Sequence, residues 1–257
     1  MTGEAALAAL VGWFDAEGAD LPWRRTRDRY RVLVSEVMLQ ATQVARVVPF
    51  YEAWVLRWPT AALLAEEPLG EVLAAWHGLG YPRRAQRLHA AAGQIAARGW
   101  PPAEHLTDLP GVGPYTAAAL RCFADEEDVL PVDTNVARLA ARRFPDGWPG
   151  APSGQAWAAA QAAMDLGRRV CTARAPACGA CPLRPGCPAA DAGTAASPLG
   201  QRRQGRYEGS MRQRRGRLLG LLAREGWASA GADPEAAVSL LDEGLARREG
   251  DRLVRAG

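Results

Sequence analysis

Three groups of residues have types and spacings that chemistry could use. The first is Leu109-Pro110-Gly111-Val112-Gly113-Pro114-Tyr115-Thr116. Two glycines around Val112 predict a turn so tight that a Cβ would obstruct it. Pro114, with a preset φ and no N–H, suits the first turn of a following helix. The exposed amides of the glycines and the helix start would cradle one phosphate without any charged side chain. The second group is two isolated carboxylates. Asp133, in Pro131-Val132-Asp133-Thr134-Asn135, stands where the cap of the next helix belongs, and Glu36 sits inside an otherwise apolar run, Ser35-Glu36-Val37-Met38-Leu39-Gln40. Taken singly, the glycine motif is an ordinary helix–helix turn and Asp133 an ordinary N-cap. The third group is Cys171-x6-Cys178-x2-Cys181-x5-Cys187. Four cysteines within one short, loop-rich stretch of a cytosolic chain argue for a metal rather than disulfides. Four thiolates suit tetrahedral zinc and an iron–sulfur cluster alike, so residue chemistry leaves both open. Cys122 reads as a packed apolar residue, and His77, His89 and His105 show no ligand spacing.

The elements that must position these groups read as helices. Apolar spacing predicts helices over 4–17, with Leu7, Leu10, Val11 and Phe14 on one face, then over 30–43, 44–58 (kinked or broken at Pro49), 69–77 and 83–98. Further helices follow over 115–123, 134–143 and 153–167. Leu21-Pro22-Trp23-Arg24 and Gly78-Leu79-Gly80-Tyr81-Pro82 read as turns. Residues 191–208, rich in Gly, Pro, Ser and Arg, read as a linker. Beyond it come helices over 211–225 and 233–243 and a hairpin of 246–248 with 252–254, a pattern that resembles a small winged-helix module. The expected fold is therefore mainly α.

Composition narrows the partners. All 31 basic residues are Arg and none is Lys, and the net charge of +3 is uneven. Residues 1–167 hold fifteen Arg against nineteen acids, and residues 168–257 hold sixteen against nine. A basic C-terminal third suits a polyanion, although a chain this biased toward Ala and Arg makes Arg richness weak evidence by itself. No basic leader with an apolar core and no apolar run of membrane-spanning length is present, so a cytoplasmic protein is expected, with no membrane partner.

These stretches, in this order over roughly residues 5–190, resemble the helix-hairpin-helix DNA glycosylases, and among them the MutY-type adenine glycosylases. The resemblance rests on 21–24, 35–40, 78–81, 109–116, 132–136, Met164-Asp165-Leu166-Gly167 and the four cysteines. It implies a two-lobed glycosylase domain over 1–190, with a six-helix lobe of about 24–127 and a cluster lobe from 1–23 and 128–190. A linker over 191–208 and a small C-terminal winged-helix-like module over 209–257 would follow. It also implies that Cys171, Cys178, Cys181 and Cys187 ligate a 4Fe-4S cluster, with zinc the weaker alternative. The implied substrate is double-stranded DNA with a mismatched or oxidised base pair, bound by a monomer that flips the target base out of the stack.

Breaking the bond from deoxyribose to adenine passes through an oxocarbenium-like sugar. Glu36, in an apolar setting, would have a raised pKa and protonate the departing ring nitrogen, while Asp133 stays ionised and stabilises the sugar cation. By resemblance Asn135 orients water or the carboxylate, and Tyr115 lies near the reacting sugar. Trp23, Arg24 and Leu39 line the base pocket, and Gln40, Gln43, Leu109, Gly111, Val112, Gly113 and Thr116 meet DNA. Arg168, Arg169, Arg174 and Arg184 are candidates for phosphate contacts, and Arg212, Arg214, Arg215 and Arg217 read either as phosphate contacts or as a solvated basic helix face. Lyase relatives use a Lys where Tyr115 stands, so absence of Lys predicts a monofunctional enzyme.

Two departures matter. Ala41 replaces the usual second Gln, and Pro82 the usual second Tyr, which leaves Pro82, Leu79 or Gln43 as wedge. Only 49 residues follow Glu208, too few for the C-terminal domain that reads 8-oxoguanine in typical bacterial members, so the expected form is the short actinobacterial-like one. The competing readings are a thymine or uracil mismatch glycosylase, a cluster-bearing lyase, and a catalytically inactive DNA-binding module.

Overall fold

The computed structural model describes residues 2–150, 154–195 and 205–257. In chain order its helices are α1 (Gly3–Glu17), α2 (Arg29–Leu39), α3 (Val44–Arg57), α4 (Ala61–Glu66), α5 (Leu69–Trp76), α6 (Arg83–Arg98), α7 (Pro114–Phe123), α8 (Thr134–Arg143), α9 (Ala156–Arg169), α10 (Pro188–Asp191), α11 (Met211–Glu225) and α12 (Pro234–Asp242). Its strands are β1 (Trp227–Ser229), β2 (Ala246–Glu249) and β3 (Arg252–Arg255). No helix among the described residues is long and apolar enough to cross a membrane.

The chain divides into two compact units, Met1–Arg29 with Pro114–Arg203 and Tyr30–Gly113 with Gln204–Gly257. The first division thus falls at 29/30 and 113/114 rather than 23/24 and 127/128. The reason is local: α7 packs on α9, and Asp125, just past α7, binds the Arg29 guanidinium at 2.6 and 2.9 Å.

In the first unit α9 is the central helix, with α1 and α8 packed on it. Ala6, Leu7 and Leu10 of α1 meet Ala162, Ala163 and Leu166 of α9, with Val136 and Leu139 of α8 completing the core. The small residues on α9 let the helices come close. At Gly167 the approach is closest, since a Cβ there would lie 2.8 Å from the Asn135 carbonyl oxygen and 2.9 Å from its Cβ. Arg24, in the 3-10 turn Pro22–Arg25, is buried in an ion pair with Asp165 of α9 at 3.0 Å.

In the second unit α2 is buried along nearly its whole length, and α4 and α5 pack against α6. Trp54 stands edge-on to Trp58 and Trp76, with ring centroids 4.6 and 5.5 Å apart. Helix α3 runs through Pro49 without a break. The proline lies only about a turn and a half from the helix start, where one missing N–H costs one bond. Helix α2 stops at Leu39, short of the expected Gln43, because the chain turns at Ala41 with φ 55°.

The C-terminal segment belongs to this second unit. It forms helix, strand, helix and hairpin, closing an antiparallel sheet in the order β1-β3-β2; β1, too short to show a period in the sequence, completes the winged-helix-like pattern. Helix α11 lies against α5, and the Gly70 amide donates to the Ala256 carbonyl at 2.9 Å. Arg255 pairs with Glu71. Arg214 and Arg215 pair with Asp233 and Glu243 inside the module, so these two of the four expected phosphate contacts serve packing instead. Of the expected linker, 196–204 lies outside the described residues, and Pro188–Asp191 forms α10.

Candidate active site

Glu36 occupies the third turn of α2, only 6 % exposed among Val32, Leu33, Val34, Val37 and Met38. Val32 to Met38 are all buried, so Glu36 stands on a stretch of helix with no solvent face, where an acidic residue is uncommon.

The hairpin turn is built as expected at one glycine and differently at the other. Leu109 and Val112 are buried and the Val112 amide closes on the Leu109 carbonyl at 3.1 Å. Gly111 has φ +83° and its missing Cβ leaves room for the Arg87 side chain, which would be 3.0 Å away. Gly113 has ordinary backbone and nothing within 4 Å of a Cβ, so no internal crowding requires it; what its missing side chain leaves is bare backbone on an open face. Leu109, Val112 and Thr116 are 4, 5 and 3 % exposed, so the first two anchor the turn and Thr116 is buried in α7. Tyr115, in the first turn of α7, is half-buried.

Asp133 caps α8. Its Oδ1 accepts from the Asn135 and Val136 amides at 2.9 and 2.7 Å, and its Oδ2 accepts from the Asn135 side-chain amide at 2.8 Å. Asn135 in turn accepts from Arg138 at 2.9 Å, and the same guanidinium donates to the carbonyls of Gly167 (2.5 Å) and Cys171 (2.8 Å). Burial pushes the Arg138 pKa down, opposed by the neighbouring Cys171 and Asp133. A continuous polar chain therefore runs from Asp133 through Asn135 and Arg138 to the first cysteine. Arg138 carried no signal in the sequence, where it was one Arg among many.

The cysteine loop has almost no apolar content apart from Leu183, which is 1 % exposed in the core. Turns closed at Cys181, Arg184 and Cys187 shape its second half. Arg142 braces it by donating to the Cys171 and Thr172 carbonyls at 3.3 and 2.7 Å, to the Ala173 carbonyl at 3.1 Å and to Cys171 Sγ at 3.3 Å. Burial, with the other cysteines adding, pushes the Cys181 thiol up to about 11 despite a backbone hydrogen bond at Leu183. No group of three or more His, Cys, Asp or Glu among the described residues is drawn in tightly enough for one metal ion. All four cysteines nevertheless line one small cavity of about 20 Å³, with Leu139, Arg142 and Val170. Four thiols around one cavity fit a thiolate-held metal centre.

The remaining expected residues fall as follows. Trp23 is 7 % exposed. The Arg24 guanidinium is turned inward, with Nε on Gln161 (2.7 Å) and its terminal nitrogens on Asp165 and the Ala19 carbonyl, so it braces the turn that carries Trp23. Leu39 and Gln40 are half-buried, and Gln43 is exposed at the start of α3. Leu79 is buried and cannot serve as wedge; the exposed large side chain of that turn is Tyr81, 45 % exposed. Arg168, Arg169 and Arg184 pair with Asp165, Glu17 and Asp191. Arg174 is exposed and makes no ion pair among the described residues.

Residues 34–150 match the family model described as HhH-GPD superfamily base excision DNA repair protein. The chain is 41 % identical to the adenine DNA glycosylase of Mycolicibacterium smegmatis, across 96 % of this chain and 95 % of that one. Against the adenine DNA glycosylase of Mycobacterium tuberculosis it is 44 % identical over 240 residues, 83 % of this chain and 77 % of the relative. Against the human adenine DNA glycosylase it is 41 % identical over 70 % of this chain and 38 % of that one. Among solved structures, a thermostable thymine-DNA glycosylase superposes with a TM-score of 0.64 at 26 % identity, across 70 % of this chain and 93 % of that one. A trapped endonuclease III–DNA covalent intermediate superposes with a TM-score of 0.62 across 73 % of this chain and 96 % of that one; at 21 % identity it speaks for the fold alone. Sequence likeness over nearly the full length thus joins the hairpin, the capped aspartate and the cysteine loop, and the chain belongs to the adenine DNA glycosylase family of the HhH-GPD base excision repair superfamily.

Proposed function

We propose that this protein removes adenine mispaired with 8-oxoguanine or guanine in duplex DNA, by hydrolysis of the N-glycosidic bond and without cutting the strand. The observation that carries the proposal is the pair of differently housed carboxylates. Glu36 is buried mid-helix, and Asp133 is fixed by three N–H donors at a helix N-terminus, where backbone amides and helix dipole favour negative charge. Glu36 delivers a proton to a ring nitrogen of the extruded adenine, the C1′–N bond breaks, and its electron pair leaves with the base. Asp133 faces the positive charge that develops on the sugar. Water then adds at C1′ and gives up its proton to a carboxylate, leaving an abasic site. Asn135 fixes the rotamer of Asp133, and Tyr115 borders the sugar. With no Lys in the chain, no ε-amine is available to form a Schiff base with that sugar.

The turn at Gly111–Gly113, with Arg87 beside it, and Arg174 on the cysteine loop hold DNA phosphates. Cys171, Cys178, Cys181 and Cys187 hold a 4Fe-4S cluster, which when bound supplies a rigid node for a loop that lacks an apolar core of its own. The enzyme acts as a monomer on the chromosome in the cytoplasm.

Single-turnover cleavage of duplexes carrying A:8-oxoG, A:G, T:G and U:G tests this reading. The first two should be cleaved, and Glu36→Gln and Asp133→Asn should each lower the rate by about 10²–10⁴-fold. Preference for T:G or U:G would make the enzyme a pyrimidine mismatch glycosylase; no product from any duplex would leave a DNA-binding module. Purified protein should show a broad visible absorbance shoulder with iron and acid-labile sulfide, and stoichiometric zinc in their place would refute the cluster.

A further inference from the structure

Within the second unit one guanidinium does far more than its sequence context suggests. Arg84, in the first turn of α6, is 8 % exposed. Its Nη1 donates to the carbonyls of Val37, Met38 and Gln40 at 2.9, 2.9 and 2.6 Å. Its Nη2 donates to Thr42 Oγ1 at 3.1 Å and to the carbonyls of Leu79 and Gly80 at 2.8 and 2.9 Å. The six acceptors belong to two separate segments: the end of α2 with the turn after it, and the turn between α5 and α6. The first set includes last-turn carbonyls of α2, which lack intrahelical partners and favour a cation. Thr42 Oγ1 also reaches the Leu79 carbonyl at 3.3 Å, and the Trp76 indole N–H reaches the Gly80 carbonyl at 3.0 Å.

Each turn carries a non-glycine residue in the left-handed region, Ala41 at φ 55° and Tyr81 at φ 49°. Glycine would adopt either conformation without strain, and glycines already flank the second turn. Strained backbone persists only where its surroundings over-determine it, and it clusters at sites where geometry matters. Here the surroundings are the Arg84 fork, and the strain holds a Tyr side chain 45 % exposed with its ring 5.7 Å from the guanidinium. Burial pushes Arg84 down to about 10, which still leaves it charged at neutral pH.

We propose that Arg84 is a positioning residue that locks the 40–42 and 79–81 turns into one rigid edge, and that this edge, led by Tyr81, sets discrimination of the mispaired site although Arg84 never touches DNA. The inference rests on the glycosylase reading above, because it takes the edge to face the duplex. Lysine cannot substitute, since one ammonium cannot span six acceptors laid out for a planar fork.

The test uses the full-length holoprotein with Arg84→Lys, Tyr81→Ala and the double variant. Equilibrium binding is measured for one duplex carrying A:8-oxoG and for the same duplex fully paired, with thermal melting to set the folded fraction. The expected result is at least a tenfold fall in the ratio of the two affinities for Arg84→Lys, with paired-duplex affinity unchanged within twofold. Tyr81→Ala should give a similar fall, and the double variant should lose no more than either alone. A purely structural Arg84 would lower both affinities in proportion to the folded fraction and would multiply with Tyr81→Ala. That result overturns the proposal, as does an unchanged ratio or a wild-type protein that fails to discriminate. Because the readout is binding, absence of cleavage would refute the glycosylase reading separately and leave this test standing. Should Arg84→Lys fail to fold, the same comparison is made with Thr42→Val, which removes one of the six acceptors and the direct Thr42–Leu79 link; the same fall supports the proposal and an unchanged ratio overturns it.

Discussion

Gly167→Ala isolates the contact that sets the position of Asp133. A Cβ at 167 would stand 2.8 Å from the Asn135 carbonyl oxygen, 3.0 Å from its carbonyl carbon and 2.9 Å from its Cβ. None of these is the loose end of a flexible side chain, so the α8–α9 spacing must open by about 0.6 Å to reach ordinary contact. Overpacking a tight core in this way costs about 1–3 kcal/mol, a fall in melting temperature of about 2–12 °C for a domain of this size. The displacement falls on the first turn of α8, where Asn135 and Asp133 are tied at 2.8 and 2.9 Å. A carboxylate moved by a good part of an ångström from the reacting sugar loses on the order of 10–100-fold in rate. Single-turnover cleavage of an A:8-oxoG duplex at 20 °C, with enzyme in excess and the folded fraction checked by circular dichroism, reads that loss. A variant that melts several degrees lower yet cleaves within twofold of wild type would refute the reasoning, since Asp133 would then be positioned by something other than the α8–α9 approach.

Asp165→Asn tests the brace behind Trp23. Burial tends to raise the Asp165 pKa, but hydrogen bonds from Arg24, the Ala19 amide and Arg168 outweigh it and hold the carboxyl below its usual range. A lowered folded-state pKa contributes stability that is complete above the unfolded value of about 3.9 and is lost as pH falls through the folded one. Chemical denaturation at pH 7 should therefore show Asp165→Asn less stable by about 3–5 kcal/mol, as for other broken buried pairs, with the gap to wild type narrowing below about pH 4. A gap independent of pH would remove the electrostatic explanation. Arg138→Met should leave the Gly167 and Cys171 carbonyls and Asn135 Oδ1 without their donor, costing about 2–4 kcal/mol, and should speed bleaching of the visible absorbance under a chelator; unchanged bleaching would detach Arg138 from the loop. Gly111→Ala, at φ +83° and 3.0 Å from the Arg87 Cβ, should weaken binding to paired and mispaired DNA alike by about tenfold, roughly the 1–2 kcal/mol of a strained left-handed residue; selective loss for one duplex would place the hairpin in recognition rather than phosphate holding.

Helix positions were legible because apolar spacing and capping signals are local. Helices over 83–98, 134–143 and 211–225 lie where the periodicity put them. The cysteine spacing, the Glu36 anomaly and the Asp133 cap were legible for the same reason, each being written within a few residues. What escaped was non-local. Arg84, Arg138 and Arg142 look like their surface neighbours in sequence, because a side chain's burial depends on segments 29–47 residues away. Met164-Asp165-Leu166-Gly167 stood out as a string, yet its meaning needed the Pro22–Arg25 turn and α8 in place: Asp165 receives Arg24, and Gly167 admits Asn135. The Gly-Val-Gly turn misled in part because two glycines look equivalent in sequence, while only Gly111 has a left-handed backbone.

A common device underlies these missed residues. Three buried arginines, Arg84, Arg138 and Arg142, each tie backbone carbonyls of another segment, while Arg24 ties the Gln161 and Asp165 side chains of α9. A guanidinium can do this because its five donors lie in one rigid plane, lose little freedom on binding, and stay charged under burial. An ammonium offers three donors on a flexible stem and sheds its proton more readily. The compositional bias that makes surface Arg uninformative therefore hides a second population whose replacement by Lys would not be conservative. The two populations separate by burial of the guanidinium together with hydrogen bonds that end on another segment. By that criterion Arg174 and Arg87 stay available to phosphate, and Arg84 and Arg138 do not. Exchanging the chain's arginines in turn for lysine should then divide them by assay: exposed positions, where the charge is kept, should change little, and the four braces should lose stability or site geometry.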